Sequence, residues 1–249
     1  MTSCRRCDRD FSDEFHYCPL CGEPFGESNP FFWVWRSREL RIKGKTRAAI
    51  EAMEKYLALG HADPYNLNIL AELNYRVGDI DASIANYQRS IQLKPDFPDT
   101  YYDLGVSYYR RGKLPEAIQS FEKCLALNSD FAQAYYWLGI IFYHFGKQQQ
   151  AIRSFQRLLE LNPDSVIAHY HLGINFSSLG DNERAITHFI KVIESSPHDQ
   201  AALYHLGLAY YRAGMIEDSI KTFQKSVNLN PEDERSRNML DMLTSFPDL

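Results

Sequence analysis

Residues 98–131 read PDTYYDLGVSYYRRGKLPEAIQSFEKCLALNSDF, and this stretch decides the fold. In its first half Tyr101, Leu104, Gly105 and Tyr108 fall on one helical stripe. Gly112 ends that helix. Residues 114–127 give a second helix with Ala117, Ile118, Phe121, Cys124 and Leu125 inward. The two-helix unit then recurs. Glycine stands every 34 residues at Gly44, Gly78, Gly112, Gly146, Gly180 and Gly214, and isoleucine keeps step at Ile50, Ile84, Ile118, Ile152, Ile186 and Ile220. A period of this length marks stacked helical hairpins, in which no unit buries its apolar face alone.

Other positions hold the same register. Leu-Gly occurs at Leu104-Gly105, Leu138-Gly139, Leu172-Gly173 and Leu206-Gly207, with Leu70-Ala71 before them. A tiny residue there lets the two helices of a unit approach closely. The second helix carries a large ring at Tyr87, Phe121, Phe155, Phe189 and Phe223. Pro95, Pro163, Pro197 and Pro231 stop it before the next unit begins.

This pattern resembles the tetratricopeptide repeat: an aromatic at unit position 4, Leu-Gly at 7 and 8, Tyr at 11, Gly at 15, Ala at 20, an aromatic at 24 and Pro at 32. The resemblance implies an all-α helix-turn-helix solenoid wound as a right-handed superhelix. Its units are expected at 64–97, 98–131, 132–165, 166–199 and 200–233, with a divergent first unit at 30–63 and a capping helix in 234–249. The divergent unit keeps Trp33, Gly44, Ala49 and Ile50, but has Arg36-Ser37 in place of Leu-Gly and His61 in place of proline.

In that family the first helices line a concave groove through unit positions 2, 5, 6, 9, 12 and 13. Carried over, the resemblance implies a peptide-binding surface of Tyr102, Val106, Tyr109, Arg110, Tyr136, Trp137, Ile140, Tyr143, Tyr170, His171, Ile174, Tyr204, His205 and Leu208. Tyrosine on a rigid helix offers flat area and a hydroxyl at low entropic cost. The bland alternative is that these tyrosines only pack between units. Exposed apolar side chains at position 9, and Trp137, call for a ligand more strongly. A clamp for chaperone C-termini is not expected, because Glu72 follows Asn68 and no lysine stands at these positions. Arg76 and Arg110 suggest an acidic residue in the bound segment.

Residues 1–29 are of another kind. Cys4-x2-Cys7 and Cys18-x2-Cys21, ten residues apart, form two knuckles able to complete a tetrahedron of thiolates around one ion. Phe11, Phe15 and Tyr17 lie between them as candidate cover, and 22–30 has turn chemistry that marks a boundary. So short a segment should draw most of its folding energy from the metal. The pattern resembles a short zinc ribbon, CxxC-x10-CxxCG, departing at Asp8, where many such modules have glycine. Structural zinc on Cys4, Cys7, Cys18 and Cys21 is expected, with iron the rival ion.

The formal net charge is −5, and Arg5, Arg6 and Arg9 are outnumbered around the knuckles by Asp8, Asp10, Asp13, Glu14, Glu23 and Glu27. Nucleic acid is therefore not the expected partner. The basic residues Arg36, Arg38, Arg41, Lys43, Lys45 and Arg47 read as a solvated helix face. No apolar run is long enough to span a bilayer, and the first ten residues lack an apolar leader core, so a cytoplasmic protein is expected. No nucleophile–base pair or phosphate loop stands out, and no small-molecule substrate is implied. The sequence thus reads as a non-enzymatic adaptor binding a peptide or helix of a partner. The rival reading is a nucleic-acid-associated or metal-responsive regulator acting through the ribbon.

Overall fold

The computed structural model describes all residues except 1, 5, 12–16, 20, 26–28 and 246–249. Phe15, among the residues expected to cover the cysteines, lies outside the described residues. Thirteen helices and one two-stranded sheet are found among those described, and the fold is all-α apart from this small sheet. The chain divides into two compact units, 1–129 and 130–249.

The first unit opens with β1 (Thr2–Cys4) and β2 (Arg9–Phe11), antiparallel, pairing Thr2 with Phe11 and Cys4 with Arg9. Then come α1 (Pro30–Ile42), α2 (Thr46–Ala58), α3 (Pro64–Val77), α4 (Ile80–Leu93), α5 (Pro98–Arg110) and α6 (Leu114–Leu127), each packed on the next. The second unit holds α7 (Ala132–His144), α8 (Gln148–Leu161), α9 (Val166–Ser178), α10 (Asn182–Ser195), α11 (Gln200–Arg212), α12 (Ile216–Leu229) and α13 (Glu234–Ser245), again in serial contact.

Local chemistry sets the helix ends. Asp63, Asp79, Ser165, Asp181 and Asp199 each accept an amide of the following first turn, which satisfies a donor the helix leaves open. The six ladder glycines sit between the paired helices at φ from 66° to 87°, a left-handed backbone that disfavours any side chain.

Packing follows the register. Phe121, Phe155, Phe189 and Phe223 are fully buried. Each stands so close to the glycine of its own first helix that a Cβ there would meet the ring at 2.6–2.7 Å. Burying one such ring contributes about 1.5–3 kcal/mol, so these four are major anchors of the stack. The divergent first hairpin forms too. Its core of Phe32, Trp33, Leu40, Ala49, Met53 and Tyr56 joins Leu70 and Leu73 of α3. Ser37 takes the place of the close-approach glycine and donates its hydroxyl to the Ala49 carbonyl at 2.8 Å, so the buried polar group is satisfied. Cys124 is fully buried, and burial pushes its thiol up to about 12, as a packing residue requires. No helix among the described residues is long and apolar enough to cross a membrane.

Candidate metal centre and ligand-binding face

The first knuckle grows out of β1, and both knuckles turn alike. The Asp8 amide donates to the Cys4 carbonyl at 2.9 Å, and the Gly22 amide to the Cys18 carbonyl at 2.8 Å. Asp8 has φ 51° and Gly22 φ 72°, so the first turn takes the glycine conformation without the glycine. The four Sγ atoms of Cys4, Cys7, Cys18 and Cys21 lie within 4.8 Å of one another. Cys4 and Cys21 are 3.5 Å apart, Cys7 and Cys18 3.9 Å. Bonds of about 2.3 Å to one tetrahedral ion set sulfur–sulfur edges of roughly 3.8 Å, so the four cysteines fit such an ion.

Two neighbours of this centre were not singled out in the sequence as site residues. Phe25 is buried against Cys4 and Cys18, whereas Tyr17 is 43% exposed; among the described side chains, which do not include that of Phe11, a covering ring comes from the segment that reads as a linker. Glu23 is buried at 3% exposure. Its carboxylate accepts from the Cys4 thiol at 2.8 Å and from the Arg6 amide at 3.0 Å, while its carbonyl accepts from the Cys18 amide at 2.7 Å. One residue thus ties the two knuckles together. Burial, then the Glu23 contact, pushes the Cys4 thiol well above its ordinary value. The Cys21 contact and burial raise Cys7 as well. A bound cation is what would draw these protons off. Beside the centre, Arg6, Glu23, Trp35, Arg36, Arg38, Glu39 and Ile42 line a cleft of about 490 Å³ between the first knuckle and α1. Arg36 and Lys43 of the basic run both pair with Glu39.

The groove residues of the first unit stand on α5, beside α3. Tyr102, Val106 and Tyr109 are half-buried, and Arg110 is exposed. The Arg110 guanidinium lies 4.7 Å over the Tyr75 ring and reaches the Tyr75 carbonyl, while Arg76 pairs with Glu72 at 2.8 Å. Both cations expected to receive an acidic residue are therefore already engaged. Asp103 faces the buried Tyr87, and burial, then Asp99 and Glu72, push its carboxyl up to about 6. Asn68 donates to Thr100 Oγ1 at 2.7 Å.

On the second unit the rings from positions 5 and 6 join into one line. Trp137 meets Tyr136 at 5.4 Å, Tyr136 meets His171 at 5.9 Å, and His171 meets Tyr170 at 5.6 Å. Tyr170 meets His205 at 5.9 Å, and His205 meets Tyr204 at 5.5 Å. Arg235 of α13 closes the line 4.8 Å over Tyr204. All six rings are half-buried. The histidines lie flat on the repeat phenylalanines, His171 on Phe155 at 5.0 Å and 8°, His205 on Phe189 at 5.8 Å and 13°. Burial, then His144, pushes His171 down to about 4; burial, then Arg235 and Arg212, lowers His205. Both are neutral rings at pH 7. Ile174, Leu208 and Tyr143 are half-buried, while Ile140, at 9% exposure, is buried and offers a ligand little surface. The ring line could not be read from spacing, because the steps that join it, Tyr136 to His171 and Tyr170 to His205, cross from one repeat to the next.

Sequence profiles of the tetratricopeptide repeat match residues 102–166 and 170–234, and a further TPR profile matches 71–112. More than half of the chain is matched, and the protein belongs to the tetratricopeptide repeat family. Among solved structures it is similar to MamA, at 29% identity over 68% of this chain and 92% of that one, with a TM-score of 0.64. It is also similar to YrrB, described as a TPR protein with an unusual peptide-binding site, at 23% identity over 76% and 97%, TM-score 0.68. The C-terminal part of a TPR repeat-containing protein from Cytophaga hutchinsonii matches at 20% identity over 86% and 88%, TM-score 0.74. No curated protein matches the sequence.

Proposed function

We propose that the protein is a non-enzymatic adaptor whose first helices hold a peptide or helix of a partner protein. The observation that carries this reading is the line of half-buried rings from Trp137 to Tyr204 on α7, α9 and α11. Partly exposed aromatic side chains in contact over three helices form the kind of rigid anchor surface that polypeptide recognition uses. That YrrB is described as carrying a peptide-binding site supports the fold as one able to hold a peptide. The repeat limits proposed are those at 30–63, 64–97, 98–131, 132–165, 166–199 and 200–233, with 234–249 as the cap and 1–29 as a zinc ribbon.

In this reading Cys4, Cys7, Cys18 and Cys21 hold a structural zinc ion, and the ribbon is a rigid knob ahead of the first repeat. The fit of four thiolates to a tetrahedron supports it. The acidic balance around the knuckles speaks for a protein partner over nucleic acid. Replacing Tyr136, Tyr170 and Tyr204 by alanine should weaken partner binding at least tenfold in a titration while helicity by circular dichroism stays near the parent. Unchanged affinity would reject this face as the site.

A second reading rests on Glu23, which touches Cys4 and also lines the cleft against α1. Loss of the ion would let Cys4 take up a proton and donate it to Glu23, which also lines that cleft, and this makes the ribbon a metal-responsive element. Amide exchange in α1 that is identical with and without added zinc would count against it.

A further inference from the structure

We infer that the ring line on α7, α9 and α11 receives a proline-rich segment in polyproline II conformation. The inference rests on the adaptor reading above and names the chemistry of the partner.

Three features of the line point to this occupant. Its shape is the first. Tyr136, Tyr170 and Tyr204 recur with one histidine between each pair, at ring-to-ring steps of 5.5–5.9 Å. Polyproline II has three residues per turn and a rise of about 3.1 Å, so a like-facing side chain returns roughly every 9 Å. Two ring steps put successive tyrosines no more than about 11.5 Å apart, within reach of that repeat, so a flat pyrrolidine can meet each tyrosine in turn.

Charge is the second. His171 and His205 are neutral at pH 7, for they lie flat on Phe155 and Phe189 and are shielded from water. Asp199, the carboxylate that acts on Tyr170 and His205, is committed to capping α11 through the Ala202 amide at 2.9 Å. The two cations that act on His205 are both engaged, Arg235 stacked on Tyr204 and Arg212 donating to Ser177 Oγ at 2.9 Å. A charged segment laid here would lose hydration with little to pair it, whereas proline carries no charge.

Hydrogen-bond supply is the third. A polyproline segment has free carbonyls, and at each proline no backbone N–H. It therefore needs donors from its receptor and hardly any acceptors. The phenol hydroxyls of Tyr170 and Tyr204 and a neutral imidazole N–H are donors of that kind. A strand would instead ask for a matching row of backbone acceptors, which the outside of a helix lacks. A preformed polyproline helix also has little conformational entropy to lose on binding.

The test is a titration of the full chain with a fluorescein-labelled decaproline peptide, read by anisotropy, alongside the same titration of Tyr170→Ala and Tyr170→Phe. Saturable binding by the parent is expected, at least tenfold weaker in Tyr170→Ala and intermediate in Tyr170→Phe, with little change between 50 and 300 mM salt. Circular dichroism checks that both variants keep the parent helicity, and Tyr170→Phe carries the test if Tyr170→Ala does not. No binding of decaproline by the parent, or equal binding by both variants, overturns the inference. If a natural partner still loses affinity when the tyrosines are replaced, the adaptor reading stands without the proline chemistry. If that affinity is also unchanged, both fall.

Discussion

Gly173 of α9 lies under the ring of Phe189 of α10, and a Cβ built on the glycine would stand 2.7 Å from the ring edge. Gly173 has no unusual backbone angle to explain it, so the glycine is there for the distance between two helices. Gly173→Ala must therefore push the ring or part the hairpin. The expected cost is about 1–3 kcal/mol, the ordinary range for overpacking a full core. Chemical denaturation measures it. Phe189→Leu in the same chain should recover part of the loss, a non-additive result diagnostic of direct contact.

The cysteine centre makes a separate forecast. Cys18→Ser should abolish binding of one metal equivalent, by elemental analysis, and unfold the segment ahead of α1 while the helical signal barely changes. The helices have their own core in Phe32, Trp33, Leu40 and Met53, so they do not need the ion. Equal metal content in mutant and parent would dismiss the site.

Glu23 should matter to the ion although it is not one of the four ligands. Residues behind the ligands commonly affect metal affinity by 10–100-fold. Glu23→Ala removes the acceptor that fixes the Arg6 amide inside the first knuckle, and a loss in that range is expected in competition with a chromophoric chelator. Glu23→Gln keeps an oxygen for the Arg6 amide and should stay close to the parent. Identical affinities for alanine and glutamate would remove Glu23 from the account.

The pH response should differ in sign between two places. His171, beside Phe155, Tyr136, Tyr170 and His144, and His188, beside Phe176, His169 and Arg184, are each pushed down to about 4, first by burial. Their folded pKa lies below the ordinary 6.5, so the unfolded chain binds more protons between these values. Stability at α9 and α10 is full above pH 6.5 and is lost as the pH falls towards 4. Asp103 is pushed up to about 6, so there the folded chain binds more protons, and α5 gains stability as the pH falls through 6. Hydrogen exchange at pH 7 and pH 5, corrected for intrinsic rates, should show α9 and α10 less protected at pH 5 and α5 no less protected. Equal loss in both places would contradict these assignments.

Much of this was readable from spacing. The 34-residue step in glycine and isoleucine gave the hairpins, and the buried phenylalanines sit where the register puts them. The two CxxC pairs likewise announced four cysteines that do come together. What spacing could not give is contact between groups far apart in sequence. Glu23 is one of several acidic residues near the knuckles, and its burial depends on how the chain folds back past Cys18. Phe25 falls in a stretch of turn formers, so its place against Cys4 and Cys18 carried no signal. The histidines at unit position 6 read as groove residues, and their stacking on the preceding unit's phenylalanine is a property of adjacent repeats. Arg110 was free on paper, yet lies against Tyr75 a full repeat earlier.

The central claim is that another polypeptide lies along the first helices. The most direct measurement places a photoreactive benzophenone amino acid at exposed Ile167, unit position 2 on α9, in one variant, and at exposed Lys191 on α10 in another. Each variant is irradiated with a partner captured by the parent chain. The account requires a covalent adduct from position 167, lost on competition with unlabelled parent protein, and none from position 191. Adducts from position 191 alone, at full partner occupancy, would contradict it.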